Sequence, residues 1–287
     1  MSGPLSAVLA WGRMVKFPHS IFALPFALSG AALAAARDGI GVAQVVWIVV
    51  AMVGARNAAM GFNRLADHRL DARNPRTAGR ELPRGRLSRG AVWFFTVFFS
   101  ALFVFASFRL SWLCGWLSPL ALAIVLGYSY TKRFTWGSHL FLGLALAIAP
   151  VGGWLAVSGS FSAVAWLLGL AVLLWVGGFD VIYACQDVEF DRREGLFSIP
   201  ARFGVRRALI VARLLHVAAV AALIGVGLLE SLHPVYWAGC AVIAALLIWE
   251  HTLVREDDLS KLGMAFFNMN GIISALYFLT TLTAVLL

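Results

Sequence analysis

The chain has 287 residues, of which 61% are apolar and only 13% charged, with a formal net charge of +9. Soluble proteins average about 45–50% apolar and about 25% charged residues. A mean hydropathy of +0.85 therefore excludes a disordered chain, a disulfide scaffold, a coiled coil and a globule with a polar surface. An integral membrane protein is left. A spanning barrel is excluded too, because its strands alternate apolar and polar residues over roughly ten positions, whereas the apolar runs here are continuous.

Nine of those runs are long enough to cross about 30 Å of hydrocarbon as helices. They cover residues 18–36, 42–63, 91–108, 111–130, 138–157, 161–183, 207–229, 235–253 and 264–286. The expectation is an all-α membrane protein, a single domain over 1–287 with nine transmembrane helices around a central cavity. Arg13 and Lys16 precede a long first span containing Pro18 and Pro25, with no small-residue site of a cleavable signal. Gly39, Gly159 and the His233-Pro234 pair mark short turns. Two connections differ in kind. Residues 64–90 hold eight Arg, two Asp and one Glu, and residues 187–207 hold Asp187, Glu189, Asp191, Glu194 and five Arg. Both are expected to cap the bundle as charged loops.

The basic residues lie almost wholly before the first span and after the even-numbered ones, while the other connections hold essentially Arg37 and Arg109. The positive-inside bias then puts the N-terminus and both charged loops in the cytoplasm and the C-terminus outside, across what is expected to be a bacterial inner membrane. Topology thus accounts for the positive charge, and nucleic acid is not an expected partner. Cys114, Cys185 and Cys240 are scattered, so neither a disulfide framework nor a thiolate metal site is expected.

The chemistry is concentrated in carboxylates. Asn63-xxx-Asp67-xxx-Asp71 follows the second span, and Tyr183-xxx-Asp187-xxx-Asp191 follows the sixth with the same spacing. Each precedes a basic stretch with Pro and Gly, at 74–80 and 199–204. Matched placement at the same end of spans four apart suggests two related halves around one cavity. On a helix each i, i+4 pair lies on one face, where like charges repel by about 0.2–0.5 kcal/mol. A bridging cation reverses that cost. Oxygen ligands without thiols favour Mg2+ or Ca2+, and Mg2+ typically takes one or two carboxylates with water and substrate phosphates. Solvated helix ends neutralised by arginines are the alternative, one that explains a single such pair better than two with matched spacing.

Asp180 lies deeper in apolar surroundings, where a carboxylate points to function. Lys132 and Arg133 follow Tyr128-Ser129-Tyr130-Thr131; with Arg76, Arg80, Arg202, Arg13 and Lys16 they are candidates for a diphosphate. Lys132 is preferred, on a short loop flanked by aromatic residues. A secondary transporter would instead keep its carboxylates near span centres, and only Asp180 comes close.

Asn63-xxx-Asp67-xxx-Asp71 and Asp180-xx-Tyr183-xxx-Asp187-xxx-Asp191 resemble the two signature motifs of the UbiA family of intramembrane prenyltransferases. The resemblance implies Mg2+ held by Asp67, Asp71, Asp187 and Asp191 with Asn63 assisting. A polyprenyl diphosphate is the implied donor, its leaving group held by Lys132, Arg133 and the loop arginines Arg76, Arg80 and Arg202. Asp180 and Tyr183 would contact substrate, and an electron-rich ring would attack the allylic cation, with the prenyl tail in membrane lipid. The flanking runs at 16–25, 74–80 and 128–134 are similar to the 4-hydroxybenzoate polyprenyltransferase-like branch of quinone synthesis. Within it they look nearest to enzymes prenylating 1,4-dihydroxy-6-naphthoate on a route to menaquinone. That naphthoate is the expected acceptor, with 4-hydroxybenzoate of ubiquinone synthesis second, and His19 is a candidate for its carboxylate. Arg64 stands where many relatives carry Asp, which bears on the number of Mg2+ ions.

Overall fold

The computed structural model describes residues 4–15, 23–264 and 269–287. Its helices are α1 (Pro4–Val15), α2 (Leu24–Asp38), α3 (Val42–Ala66), α4 (His68–Arg73), α5 (Arg89–Leu110), α6 (Trp112–Thr131) and α7 (Ser138–Ser158). There follow α8 (Ala163–Ala184), α9 (Val188–Arg193), α10 (Ile199–Phe203), α11 (Val205–Leu229), α12 (Pro234–Leu253), α13 (Leu262–Met264) and α14 (Asn270–Leu286). Local chemistry sets several of the starts. Ser88, Ser111 and Ser162 accept hydrogen bonds from the backbone N–H of Ala91, Cys114 and Val164, opening α5, α6 and α8. A serine cap of this kind is worth about 1 kcal/mol.

Seven helices, α3, α5, α6, α7, α8, α11 and α12, are long and apolar enough to cross a membrane. The chain is an integral membrane protein. The first and ninth expected spans fall on α2, with 15 residues, and α14, with 17, each beside residues outside those described. His19 and Lys16 also lie outside the described residues.

Neighbouring helices close a ring in chain order: α2 on α3, α3 on α5, then α6, α7, α8, α11, α12 and α14, which returns to α2. α2 also crosses α7, and the absence of side chains at two glycines permits the approach. A Cβ on Gly153 would stand 2.0 Å from the Ala27 carbonyl oxygen, and one on Gly30 2.1 Å from that of Pro150. Small residues at such crossings let backbones pack closely where no hydrophobic drive operates between helices. The second half of the ring is filled by Phe26, Trp175 and Tyr277, with Phe26 centred 5.1 Å from Trp175 and 5.2 Å from Tyr277. Phe94, Trp112, Trp116 and Val217 point outward, as lipid contact requires.

Neither aspartate pair sits on one uninterrupted α-helix, so the shared face of a straight helix does not describe them. α3 stops at Ala66, Asp67 caps it, and Asp71 rides on the separate short helix α4. α8 stops at Ala184, a 3-10 turn covers Cys185–Asp187, and Asp191 rides on α9. Each break falls at the first aspartate of its arm, and Asp71 still acts on Asp67 as a like charge across it.

Candidate active site

The two arms meet over a cavity of about 200 Å³, walled by the ends of α3 and α8, the α6–α7 turn and the charged loops. Asp67, Asp71, Asp180, Asp187 and Asp191 all line it, with Asn63, Arg76, Arg80, Tyr128, Lys132 and Tyr183. The convergence of both motifs is therefore a property of the fold.

Each motif aspartate has its own cation. Arg133 Nη2 donates to Asp67 Oδ1 at 2.9 Å, and Asn63 Nδ2 donates to Asp67 Oδ2 at 2.9 Å. Burial pushes the Asp67 carboxyl above its ordinary value, with Lys132 and Arg133 pulling the other way. Arg80 Nη1 reaches both oxygens of the buried Asp71, at 2.6 and 2.7 Å. Across the cavity Arg76, from the first loop, grips Asp187 of the second arm through Nε at 3.0 Å and Nη2 at 2.5 Å. Asn74 Nδ2 adds a bond to Asp187 Oδ1 at 3.1 Å, and Arg76 Nη1 donates to the Tyr183 hydroxyl at 3.0 Å. Lys132 Nζ lies 3.4 Å from Asp191 Oδ1, longer than the 2.7–2.9 Å or so of a good charge-assisted bond. That oxygen has no hydrogen-bond partner although Asp191 is 1% exposed.

These observations bear on Mg2+. Among the described residues no three His, Cys, Asp or Glu side chains converge tightly enough to form a protein-only cage. The donors are carboxylates in two pairs, and one buried Asp191 oxygen lacks a partner. Such a set fits an ion that takes one or two carboxylates and completes its shell with water and phosphate. Asn63 fits less well. Its only ligating atom, Oδ1, accepts from Arg64 Nη1 at 3.1 Å, and Arg64 is itself buried.

Three other expected residues are placed differently. Arg133 does not line the cavity; it braces Asp67 from behind, with Nη2 also donating to the Ala66 carbonyl at 2.7 Å. Arg202 is exposed on α10 and is absent from the cavity wall. Arg13 pairs with Glu81 at 3.2 Å, tying α1 to the first loop. Sequence reasoning missed His139, whose Nδ1 is 2.7 Å from Asp180 Oδ2 and whose Nε2 accepts the Ile199 N–H at 3.3 Å. Its only signal was a histidine opening an apolar run at Ser138-His139. Asn74 was legible only as flanking text.

Residues 23–272 match the UbiA prenyltransferase family. A 4-hydroxybenzoate octaprenyltransferase of Xanthomonas campestris pv. campestris (strain B100) is 35% identical over 223 residues, 77% of this chain and 73% of the relative. One from Aromatoleum aromaticum is 30% identical over 233 residues, 81% and 79% of the two chains. The solved UbiA homolog from Aeropyrum pernix K1 superimposes with a TM-score of 0.83 at 35% identity, covering 92% of this chain and 97% of its own. A UbiA homolog from Archaeoglobus fulgidus, bound to DMAPP and Mg2+, has a TM-score of 0.74 at 18% identity, covering 96% and 99%, and shares the fold. With the matched family spanning most of the chain and both of its aspartate arms converging on one cavity, the protein belongs to the UbiA prenyltransferase family and is a prenyl-transferring enzyme.

Proposed function

We propose that the enzyme transfers a polyprenyl group from its diphosphate to a hydroxylated aromatic carboxylate, with 4-hydroxybenzoate the favoured acceptor. The observation that carries this reading is the meeting of Asp67, Asp71, Asp187 and Asp191, each beside an arginine or lysine, in one cavity. The four carboxylates would hold Mg2+, with Asn63 assisting if it turns away from Arg64. Mg2+ neutralises charge that develops on a leaving diphosphate.

The chain's own residues supply the rest. Arg76, Arg80 and Lys132 pair with carboxylates of the cavity; with those oxygens ligating a metal, the same three cations would be available to bind phosphate. The Tyr128 and Tyr183 rings line the cavity; Tyr128 is the candidate π partner for an allylic cation, while the Tyr183 ring carries the Arg76 guanidinium 5.3 Å from its centre. Phe190, Leu142 and Leu196 give the wall an apolar part that keeps water from the cation. The prenyl tail leaves the cavity between helices into lipid. The mouth faces the cytoplasm if the basic loops obey the positive-inside rule, in a bundle completed to nine spans by α2 and α14.

The acceptor rests on the relatives. Those quoted above are named for 4-hydroxybenzoate and for an octaprenyl group, which favours ubiquinone-type chemistry over the naphthoate expected from the flanking runs. The naphthoate remains the second reading, carried by those runs alone. The structure of the Archaeoglobus fulgidus homolog with DMAPP and Mg2+ supports a diphosphate donor and a divalent metal. The deciding experiment gives purified protein one labelled polyprenyl diphosphate, Mg2+ and either acceptor, and compares kcat/KM. We expect a clear preference for 4-hydroxybenzoate. The reverse preference restores the naphthoate, and transfer to neither ring overturns the aromatic carboxylate.

A further inference from the structure

Five aspartates line the cavity, and four are committed to arginine or lysine. Asp180 is the fifth, and among the described residues its only ion-pair partner is a histidine. His139 opens α7 at the cavity wall and is 3% exposed. Its two nitrogens have opposite duties. The Ile199 backbone N–H can only donate, so Nε2, 3.3 Å away, must be unprotonated. Nδ1 then carries the ring proton and donates it to Asp180 Oδ2 at 2.7 Å. The opposite tautomer, and the doubly protonated ring, would each set two hydrogens against one another at Ile199. Only the neutral Nδ1–H ring satisfies both contacts, and it requires Asp180 Oδ2 to accept.

We propose that His139 is a positioning residue that holds Asp180 ready to accept the proton displaced from the aromatic ring. The proposal rests on the prenyl-transfer reading above. In the step, the allylic C–O bond breaks and its electron pair leaves with the diphosphate. A ring carbon next to the hydroxyl forms the new C–C bond. The C–H bond at that carbon then breaks, its electrons restore the aromatic ring, and its proton passes to Asp180, which becomes a neutral acid and later releases it to solvent. His139 pins Oδ2 and leaves Oδ1 for the cavity. The pinning tautomer is set by Ile199, the first residue of α10, so the second charged loop prepares the base by packing down. Phe197 N–H to the Lys132 carbonyl, at 2.7 Å, anchors the same loop beside the diphosphate ligand.

The test separates the two nitrogens. In His139→Asn the amide nitrogen falls near the former Nδ1 and keeps a donor for Asp180. In His139→Gln the amide falls near the former Nε2 and keeps only an acceptor for Ile199. With wild-type transfer to the acceptor established as the control for the underlying reading, we expect His139→Gln to lower kcat on the order of tenfold to a hundredfold, below the 10²–10⁴ of a proton acceptor itself. His139→Asn, which keeps the donor to Asp180 and loses the acceptor for Ile199, should retain clearly more kcat than His139→Gln, and KM for the diphosphate should hold in both. Adding His139→Gln to Asp180→Asn should cost nothing further in kcat, because contacts that act through one another are non-additive. The proposal is overturned if Gln preserves kcat as well as Asn does, if both variants lose it alike, or if the double variant falls by the product of the single losses.

Discussion

Asp67 and Asp187 share one backbone conformation, φ −95°, ψ 5° and φ −106°, ψ 7°, each placed between a long apolar helix and a short one. That sparsely populated bridge region is common at functional residues. Here it turns the chain so that the aspartate four residues later also reaches the cavity. Asp71 and Asp191 are the most enclosed of the four carboxylates, at 6% and 1% exposure.

Removing one carboxylate charge should therefore cripple turnover without unfolding the chain. Asp67→Asn, Asp71→Asn, Asp187→Asn and Asp191→Asn should each lower kcat by about 10²-fold or more, as single electrostatic contacts do in other sites. Yield and detergent stability should change little. Prenyl transfer measured at saturating Mg2+ checks this, and near-wild-type turnover in any two variants would make the carboxylates structural.

The reach of Arg76 across the cavity to Asp187 is a fork, not a point charge. Arg76→Lys keeps the charge and loses the second bond, so KM for the diphosphate should rise about tenfold, in line with charged hydrogen bonds of roughly 1.5–3 kcal/mol. Arg202→Ala, on the exposed face of α10, should leave both kinetic constants unchanged. Steady-state kinetics on the two variants compares them directly.

The crossing of α2 and α7 should tolerate no side chain at Gly153. Gly153→Val drives a methyl group into the Ala27 carbonyl and should cost about 3 kcal/mol or more, read as a lower melting temperature in detergent. Gly152→Ala is the matched control, since a Cβ there meets nothing within 4 Å.

Orientation is testable by fusion. A reporter active only outside the cytoplasm should work after Leu287 and fail when inserted within residues 72–85. Signal from the loop insertion would reverse the orientation and move the active site to the other face.

Hydropathy and motif spacing were enough to specify the class of the molecule and to mark where its chemistry lies. Continuous apolar runs specify membrane helices because lipid leaves the backbone no other partner. The two Asp-xxx-Asp spacings marked the residues of both arms, since such motifs are local and survive in one dimension. Tertiary structure decided what no local pattern encodes. Arg76 finds Asp187 across 111 residues, and His139 finds Asp180 across 41, through a ring of helices whose closure sets both meetings. The same packing put Arg133 behind Asp67, left Arg202 outside and turned Asn63 toward Arg64. The break at each first aspartate was also out of reach of periodicity. An i, i+4 spacing reads alike in a straight helix and in one interrupted between the two residues, and the choice falls to the loops that each arm must meet.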